Sequence, residues 1–407
     1  MSIQRSSINL HHLHVFHSVA ATGGIRRSAE VLHRASSAVA RSIGALEDSL
    51  NAALFERKGR GMLLTAAGDI VRTRARHIEA ELADVRNEAA RMASRAGAGP
   101  VGALDTLFNE TRLTAASLLA EMHHMPSVAK AAGLSQPAVS NAIARLESAL
   151  MQPLFVRTAR GVLPTDAGAR WVVQFERVLA ELRNIEADVA ALNGVLEGVV
   201  TVGALPLART RVLPAAISAL LASHPKLMVR SLESPYADLC GGLLSGKIDF
   251  ILGALRPRAG AELATESLFA DPTALIVGAN HPLAGRAIVG FADLEGFPWV
   301  LSRAGTPLRE SLRAFFGRHG REEPQAAVET GDLALVRALL LQGDMLTALS
   351  PHQLHYEIES GSLVVLPFAL TGMQADIGIT TRAGAHLSGA AQALLDKIRQ
   401  ASAQLIR

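Results

Sequence analysis

A single cysteine, Cys240, leaves this 407-residue chain no internal disulfide, and alone it can build neither a thiolate zinc site nor an iron–sulfur cluster. It sits in the apolar stretch Leu239 to Leu244, a setting for an inert core thiol, because reactive thiols favour polar, partly exposed surroundings. No uncharged run of about 18 residues is present to span a bilayer, and no charged-then-apolar leader opens the chain. A cytoplasmic protein with no membrane partner is therefore expected. Signatures of catalysis are missing too: no phosphate loop, no His-Glu-x-x-His and no Gly-x-Ser-x-Gly. The fourteen histidines are scattered, and His11, His12, His14 and His17 can face two sides of one helix. The expectation is a protein that is not an enzyme and holds no cofactor or metal.

Apolar residues, by contrast, make up 49% of the chain, enough for substantial cores in the two to four domains that the length suggests. The net charge of +3 hides an asymmetry. Residues 1–100 carry 14 Lys/Arg against 9 Asp/Glu, and the remainder 26 against 28. A basic N-terminal third on a near-neutral body points to a nucleic-acid-binding end joined to a body with another task.

The chain also repeats itself, without a gap, at an offset of 100 residues. Leu46-Glu47, Leu54-Phe55, Arg57, Arg60-Gly61, Leu63, Thr65 and Ala67-Gly68 return as Leu146-Glu147, Leu154-Phe155, Arg157, Arg160-Gly161, Leu163, Thr165 and Ala167-Gly168. Between Ala38 and Gly68, 15 of 31 positions match their partners, and one such pair at a long period is a domain duplication.

In the first copy, Leu10, Leu13, Val15, Phe16 and Val19 recur near helical spacing until Gly23-Gly24. Ile25 to His33 reads as a second short helix. After a turn at Arg34-Ala35, Ser36 to Leu50 reads as a third, with Val39, Ile43, Leu46 and Leu50 inward. This is a helix-turn-helix whose third helix would lie in a DNA major groove. Leu54-Phe55 and Leu63 then flank a basic, glycine-containing turn, a hairpin wing. Thr65 would cap a long helix whose free amides favour a phosphate. Arg34, Arg57, Lys58 and Arg60 are candidate backbone contacts, while Ser36, Ser37 and Arg41 are placed to reach base edges.

The stretch Phe16 to Gly68, with its Leu-Glu, Leu-Phe-Glu-Arg and Leu-Thr-Ala-Ala-Gly pieces, resembles the winged helix-turn-helix of LysR-type transcriptional regulators. The second copy matches that family better in its third helix, Leu134-Ser-Gln-Pro-Ala-Val-Ser140. The resemblance implies DNA contacts at Ser135, Gln136, Pro137, Ser140 and Asn141, with Arg157, Arg160 and Thr165 in and after the wing. From Leu13 to Gly68 the first copy has 7 basic against 4 acidic residues, and the second has 4 against 3. Three readings stay open: both copies bind DNA, one binds while the other spaces or dimerises, or neither binds strongly.

Each copy leads into a long helix with a near-heptad stripe: Ile70, Ile78, Leu82, Val85 and Met92, then Val173, Val178, Leu182, Ile185, Val189 and Leu192. Such stripes suit pairing with a second helix. Ala96 to Gly102 has linker composition and is expected to give the second module freedom. From Gly198 the pattern becomes strand, helix, strand with continuously apolar strands, which implies a parallel sheet covered on both faces. Its ligands would lie beyond the strands' C-terminal ends, near Leu205, Pro206 and Ser234. Leu213-Pro214, His224-Pro225 and Gly246-Lys-Ile-Asp249 resemble the family's effector domain, whose fold resembles periplasmic binding proteins. Trp299 to Arg309 resembles a branch answering to sugars or aromatic acids. Ser302 and Thr306, at a strand-to-helix turn, together with Arg309 and Thr330, could hold an oxyanion or a sugar hydroxyl.

The expected organisation is multidomain: winged helix-turn-helix modules at 8–68 and 104–168, linker helices at 69–103 and 169–197, and an α/β two-lobed effector domain at 198–407. Lobe I would cover about 198–262 and 368–407, and lobe II about 263–367. The resemblance implies double-stranded DNA, a small effector (a sugar, or a carboxylic or aromatic acid), a homodimer or homotetramer, and RNA polymerase as partners. The rival reading is an architectural DNA binder that needs no effector.

Overall fold

Each repeat copy folds into three helices, a hairpin wing and one long helix. The computed structural model describes residues 8–58, 61–97, 99–192, 194, 196–256 and 260–405. The first copy comprises α1 (Leu10–Thr22), α2 (Ile25–Val31), α3 (Ser36–Leu50), β1 (Phe55–Lys58), β2 (Gly61–Leu64) and α4 (Ala66–Arg95). The second comprises α5 (Glu110–Met122), α6 (Met125–Ala132), α7 (Gln136–Leu150), β3 (Phe155–Thr158), β4 (Gly161–Pro164) and α8 (Asp166–Ala191).

The residues common to both copies hold this frame. The Glu47 carboxylate accepts the amides of Leu54 and Phe55 at 2.7 and 3.3 Å, and Glu147 accepts those of Leu154 and Phe155 at 2.8 and 3.2 Å. A Cβ on Gly68 would sit 2.1 Å from the Leu54 carbonyl oxygen, and one on Gly168 would sit 2.0 Å from that of Leu154. Only glycine lets the long helix start against the strand.

The two long helices pair with each other. Val71, Ala75, Ile78, Leu82, Val85 and Ala89 are buried on α4, and the residues exactly 100 further on, Trp171, Phe175, Val178, Leu182, Ile185 and Val189, are buried on α8. The 4-3-4-3-4 spacing is a coiled-coil seam. It differs from the stripe read from sequence: Ile70, Met92 and Val173 are only half-buried and Leu192 is exposed, whereas the small Ala75 and Ala89 lie in the seam. The helices run antiparallel, since Arg74 early in α4 meets Asp188 late in α8, and Glu88 late in α4 meets Arg170 and Trp171 early in α8. Both modules and both helices share one continuous apolar core. The connection between the copies is tied down as well: Gly102 donates to the Ala149 carbonyl at 2.8 Å and Arg86 donates to that of Gly102 at 3.0 Å. The freedom expected of this linker is therefore absent where its backbone is hydrogen-bonded.

The C-terminal half contains β5 (Gly198–Ala204), α9 (Val212–Ser223), β6 (Leu227–Leu232), α10 (Tyr236–Leu244), β7 (Phe250–Ala254), β8 (Leu263–Pro272), β9 (Ala274–Gly278), β10 (Trp299–Leu301), α11 (Pro307–Arg318), β11 (Ala326–Glu329), α12 (Leu333–Gln342), β12 (Leu346–Leu349), α13 (His355–Glu359), β13 (Leu363–Val365), β14 (Gln374–Arg382) and α14 (Gly389–Leu405). They form two five-stranded sheets, ordered β6-β5-β7-β14-β8 and β11-β10-β12-β9-β13. The sheets are mixed rather than parallel, because the chain crosses between lobes twice and its returning strand β14 runs antiparallel to β7 and β8. That pairing also corrects the lobe boundary. β8 belongs to lobe I, and the crossing lies at Thr273, whose amide donates to the Met373 carbonyl.

Candidate DNA-binding faces and interlobe cleft

On α3 the inward stripe buries Val39, Ile43 and Leu46, which leaves Ser36, Ser37 and Arg41 exposed on the opposite face. Arg34, in the turn before α3, is exposed and hydrogen-bonds the ring of His11. On α7, Gln136, Pro137, Ser140 and Asn141 occupy the corresponding exposed face. Ser135 is the N-cap, its hydroxyl accepting the Ala138 amide at 3.3 Å. Arg145 lies one turn beyond Asn141 and is also exposed. Sequence reasoning missed it, although the step of four from Asn141 was the available signal.

β1 carries Arg57 and Lys58 in its backbone ladder with β2. Their side chains, and all of Arg60, lie outside the described residues. In the second wing Arg157 and Arg160 are exposed. Gly161 is required there: its φ is +112°, and a Cβ would lie 2.6 Å from the His123 carbonyl oxygen. The hydroxyls of Thr65 and Thr165 are engaged within the fold. Each accepts the amide three residues on, Gly68 at 3.0 Å and Gly168 at 2.9 Å. Each also donates its hydroxyl proton to a backbone carbonyl, Ala53 at 2.7 Å and Pro153 at 2.9 Å. No hydroxyl proton is left to offer a phosphate, so contact at these helix starts would fall to backbone amides.

In lobe II the parallel pairing of β10 and β11 brings Ser302 and Thr330 to one edge, with the Thr330 amide donating to the Leu301 carbonyl at 3.0 Å. Thr306 caps α11 and lies 3.1 Å from the Ser302 hydroxyl. Arg309 departs from expectation. It is 9% exposed, and its guanidinium is committed to Glu323 and to the Ser302 carbonyl. An effector could take it only by breaking that buried ion pair. Thr330 does not cap α12; Asp332 does, and the Thr330 hydroxyl accepts the Asp332 amide.

In lobe I, Leu205 and Pro206 follow β5 at the edge facing lobe II. Ser234 follows β6 and donates to Asp238 at 3.0 Å. The lobes meet where the turn after β5 touches the turn after β12: the Thr210 hydroxyl donates to the His352 carbonyl at 3.2 Å, and Arg211 donates to His352 Nδ1 at 3.3 Å. Beside them the Ser350 hydroxyl donates to Asp271 at 2.7 Å. Burial pushes the Asp271 carboxyl up to about 6, against the lowering effect of Ser350. The His352 imidazole is pushed down by burial and then by Arg211 and His355. These groups were not singled out from sequence, although Ser350-Pro351 directly after the apolar run Leu346–Leu349 marked a strand's C-terminal edge. A separate open concavity of about 690 Å³ lies at the opposite ends of β10 and β11, between Trp299 and Ala326, away from the cleft.

Cys240, on α10, is partly buried against the cluster of Leu239, Leu243, Ile248 and Ile251. No helix among the described residues is long and apolar enough to cross a membrane.

One winged helix-turn-helix ahead of a two-lobed α/β domain is the plan of effector-responsive DNA-binding regulators, and this chain carries the first part twice. Residues 10–69 and 111–169 each match the bacterial regulatory helix-turn-helix of the lysR family, and residues 193–403 match the LysR substrate binding domain. The chain belongs to the LysR family of transcriptional regulators, DNA-binding proteins with a C-terminal effector-binding domain, and it is not an enzyme. It is 43% identical to the HTH-type transcriptional regulator GalR of Pseudomonas putida, over 96% of this chain and 97% of that one. An alignment so complete on both sides places the extra module in both proteins. OxyR of Escherichia coli K12 is 30% identical over 69% of this chain and 92% of its own length. Among solved structures, a full-length OxyR variant from Pseudomonas aeruginosa superposes with a TM-score of 0.54 at 24% identity, covering 72% of this chain and 94% of that one. CbnR superposes at 0.52 with 19% identity, covering 72% and 99%, and both likenesses speak for the fold.

Proposed function

We propose that both modules contact operator DNA and that a small molecule held between the lobes modulates that contact. The carrying observation is that α3 and α7 each leave an exposed polar face on a family-matched module, while the residues shared by the copies are spent on the frame. Ser36, Ser37 and Arg41 on one face, and Gln136, Ser140, Asn141 and Arg145 on the other, read base edges. Arg157 and Arg160 hold the backbone in the second module, and Arg57, Lys58 and Arg60 are assigned the same task in the first.

The effector is a sugar, or a carboxylic or aromatic acid, met by the hydroxyls of Ser302 and Thr330 and by Arg211 rather than by Arg309; the Thr306 hydroxyl, which already accepts the Arg309 amide and donates to the Arg303 carbonyl, positions Ser302. Leu205 and Pro206 form the facing wall. RNA polymerase is the partner through which DNA-bound chains act on transcription.

Nuclease footprinting on the promoter beside its own gene tests this reading with point variants. Deleting the first module would strip half of a shared core and strand Asp188 and Glu181, so substitution is the cleaner probe. Arg41→Ala should weaken protection in one part of the footprint and Asn141→Ala in another. If either change leaves the footprint intact, that module does not read DNA. A panel of sugars and of carboxylic and aromatic acids should include one that raises the melting temperature and alters the footprint. If none does either, the effector-independent architectural reading replaces this one.

A further inference from the structure

The reciprocal seam between α4 and α8 has the form of an interface between two copies of one protein. His77 meets Glu181 at 3.6 Å, and Arg177 meets Glu81 at 3.5 Å. Positions 77 and 177, and 81 and 181, are equivalent under the repeat offset of 100. Likewise the equivalent acids Glu88 and Asp188 each take donors from the opposite helix, Arg170 and Trp171 for one and Arg74 for the other. Residue i contacting j while j's equivalent contacts i's is the mark of a two-fold interface. Here both halves are in one chain.

Side-chain volume sets the pairing. The antiparallel register lays the bulky Trp171 and Phe175 end of α8 over the Val85 and Ala89 end of α4, and the small Val71 and Ala75 end of α4 against Ile185 and Val189. Pairing α4 with α4 would set small ends on small ends and leave voids. Pairing α8 with α8 would crowd Trp171 and Phe175 against Ile185 and Val189. Both errors cost stability in a close-packed seam. The hydrogen-bonded connection through Gly102 keeps the partner helix local to the chain.

The modules sit at the N-terminal ends of the two antiparallel helices, hence at opposite ends of the seam. α4 has 30 residues, about 45 Å at 1.5 Å per residue, which is comparable with the roughly 35 Å between major grooves on one face of DNA. The exposed faces themselves differ, with Ser36, Ser37, Ala40, Arg41 and Ala45 facing Gln136, Pro137, Ser140, Asn141 and Arg145 as equivalents.

We propose that one chain is a complete two-site DNA reader, its linker helices paired internally, and that it recognises two unlike half-sites about one helical turn apart. This rests on the reading that both modules contact DNA, and two experiments separate the claims. In the full chain carrying Cys240→Ser, Glu88→Cys and Arg170→Cys, a short bis-maleimide is added over a range of protein concentrations. The expected product keeps the mass of one chain, with 88 and 170 joined; a product of two chains overturns the internal pairing. Both substituted positions are at the seam's margin, with Arg170 55% and Glu88 28% exposed, and an unchanged melting temperature before cross-linking shows that the variant keeps the seam.

In the second experiment the full chain selects duplexes from a randomised 40-base-pair pool, and native mass spectrometry counts chains on each selected duplex. The expected result is a non-palindromic motif with two halves about 10 base pairs apart and one chain per motif. Arg41→Ala should then relax preference in one half only, and Asn141→Ala in the other. A palindromic motif, or two chains on each motif, overturns the proposal. Failure to select any sequence would sink the DNA-contact reading, and the cross-link would still decide the pairing.

Discussion

Replacing Arg74 with methionine tests the join of three elements at one buried cation. Arg74 is fully buried on α4. Its Nε and one terminal nitrogen donate to Asp188 at 2.9 and 2.6 Å, and the other terminal nitrogen donates to Glu181 and to the His386 carbonyl, both at 2.6 Å. Asp188 in turn accepts the Gly389 amide at the start of α14, 3.2 Å away. One guanidinium thus links both linker helices to the effector domain. Arg74→Met keeps most of the volume but leaves two carboxylates, 9% and 5% exposed, without their main partner. Removing one member of a buried ion network costs about 3–5 kcal/mol, because the remaining charges stay desolvated. With a urea slope of roughly 2 kcal/mol per molar, the midpoint should fall by about 2 M.

The assay is urea unfolding followed by the fluorescence of Trp171, which lies in the seam, with Trp299→Phe in both proteins so that the effector domain stays silent. Adding Glu181→Gln and Asp188→Asn should restore most of the loss, since neutral amides need no counter-charge. A drop below about 1 kcal/mol, or no recovery in the triple variant, would refute the reasoning. The acid side gives a second readout. Burial pushes the Glu181 carboxyl up, but hydrogen bonds from His77 and Arg74 and the Arg74 charge hold it below its ordinary value. Its contribution is therefore present above the ordinary carboxylate range and lost as pH falls through the lower folded value. Without Arg74 that loss should begin at higher pH.

Further outcomes follow from single sites. Asp271 sits at about 6 in the folded chain against an ordinary 3.8, so the folded form binds the extra proton and stability falls as pH rises from about 4 to 6. Asp271→Asn should therefore stabilise the effector domain by ~1–3 kcal/mol at pH 7.5 and change little at pH 4, read from Trp299 fluorescence in urea; equal effects at both pH values would contradict this. Gly168→Ala places a Cβ against the Leu154 carbonyl and should unfold or displace the second module, lowering the melting temperature by more than 10 °C in calorimetry, whereas Gly44→Ala, which meets open space, should not. Arg157→Ala with Arg160→Ala should lower the slope of log affinity against log salt by about 2 in anisotropy titrations, and an unchanged slope would remove the second wing from the backbone contacts.

The local architecture was legible in the sequence because its determinants are local. Helical periodicity gave α3 its bounds, Ser36 to Leu50, and Gly161 marked the wing turn. The offset of 100 by itself disclosed two modules. The exposed faces of α3 and α7 followed from the same periodicity, since a stripe that buries Val39 and Ile43 must turn Ser37 and Arg41 outward. What tertiary structure alone decided concerns pairs of residues far apart in the chain. Heptad spacing says that α4 wants a partner, but only packing shows that the partner is α8, with Ala75 and Ala89 making room for bulk 100 residues away. Arg74 reads as one more surface charge on an amphipathic helix until Glu181 and Asp188 close over it. Arg309 looks available until Glu323, fourteen residues on, folds back to claim it. The fate of Thr65, the cleft position of Asp271 and the place of β8 in lobe I rest on the same cause. A residue's type fixes what it can bond, whereas the fold fixes which of those bonds are already made.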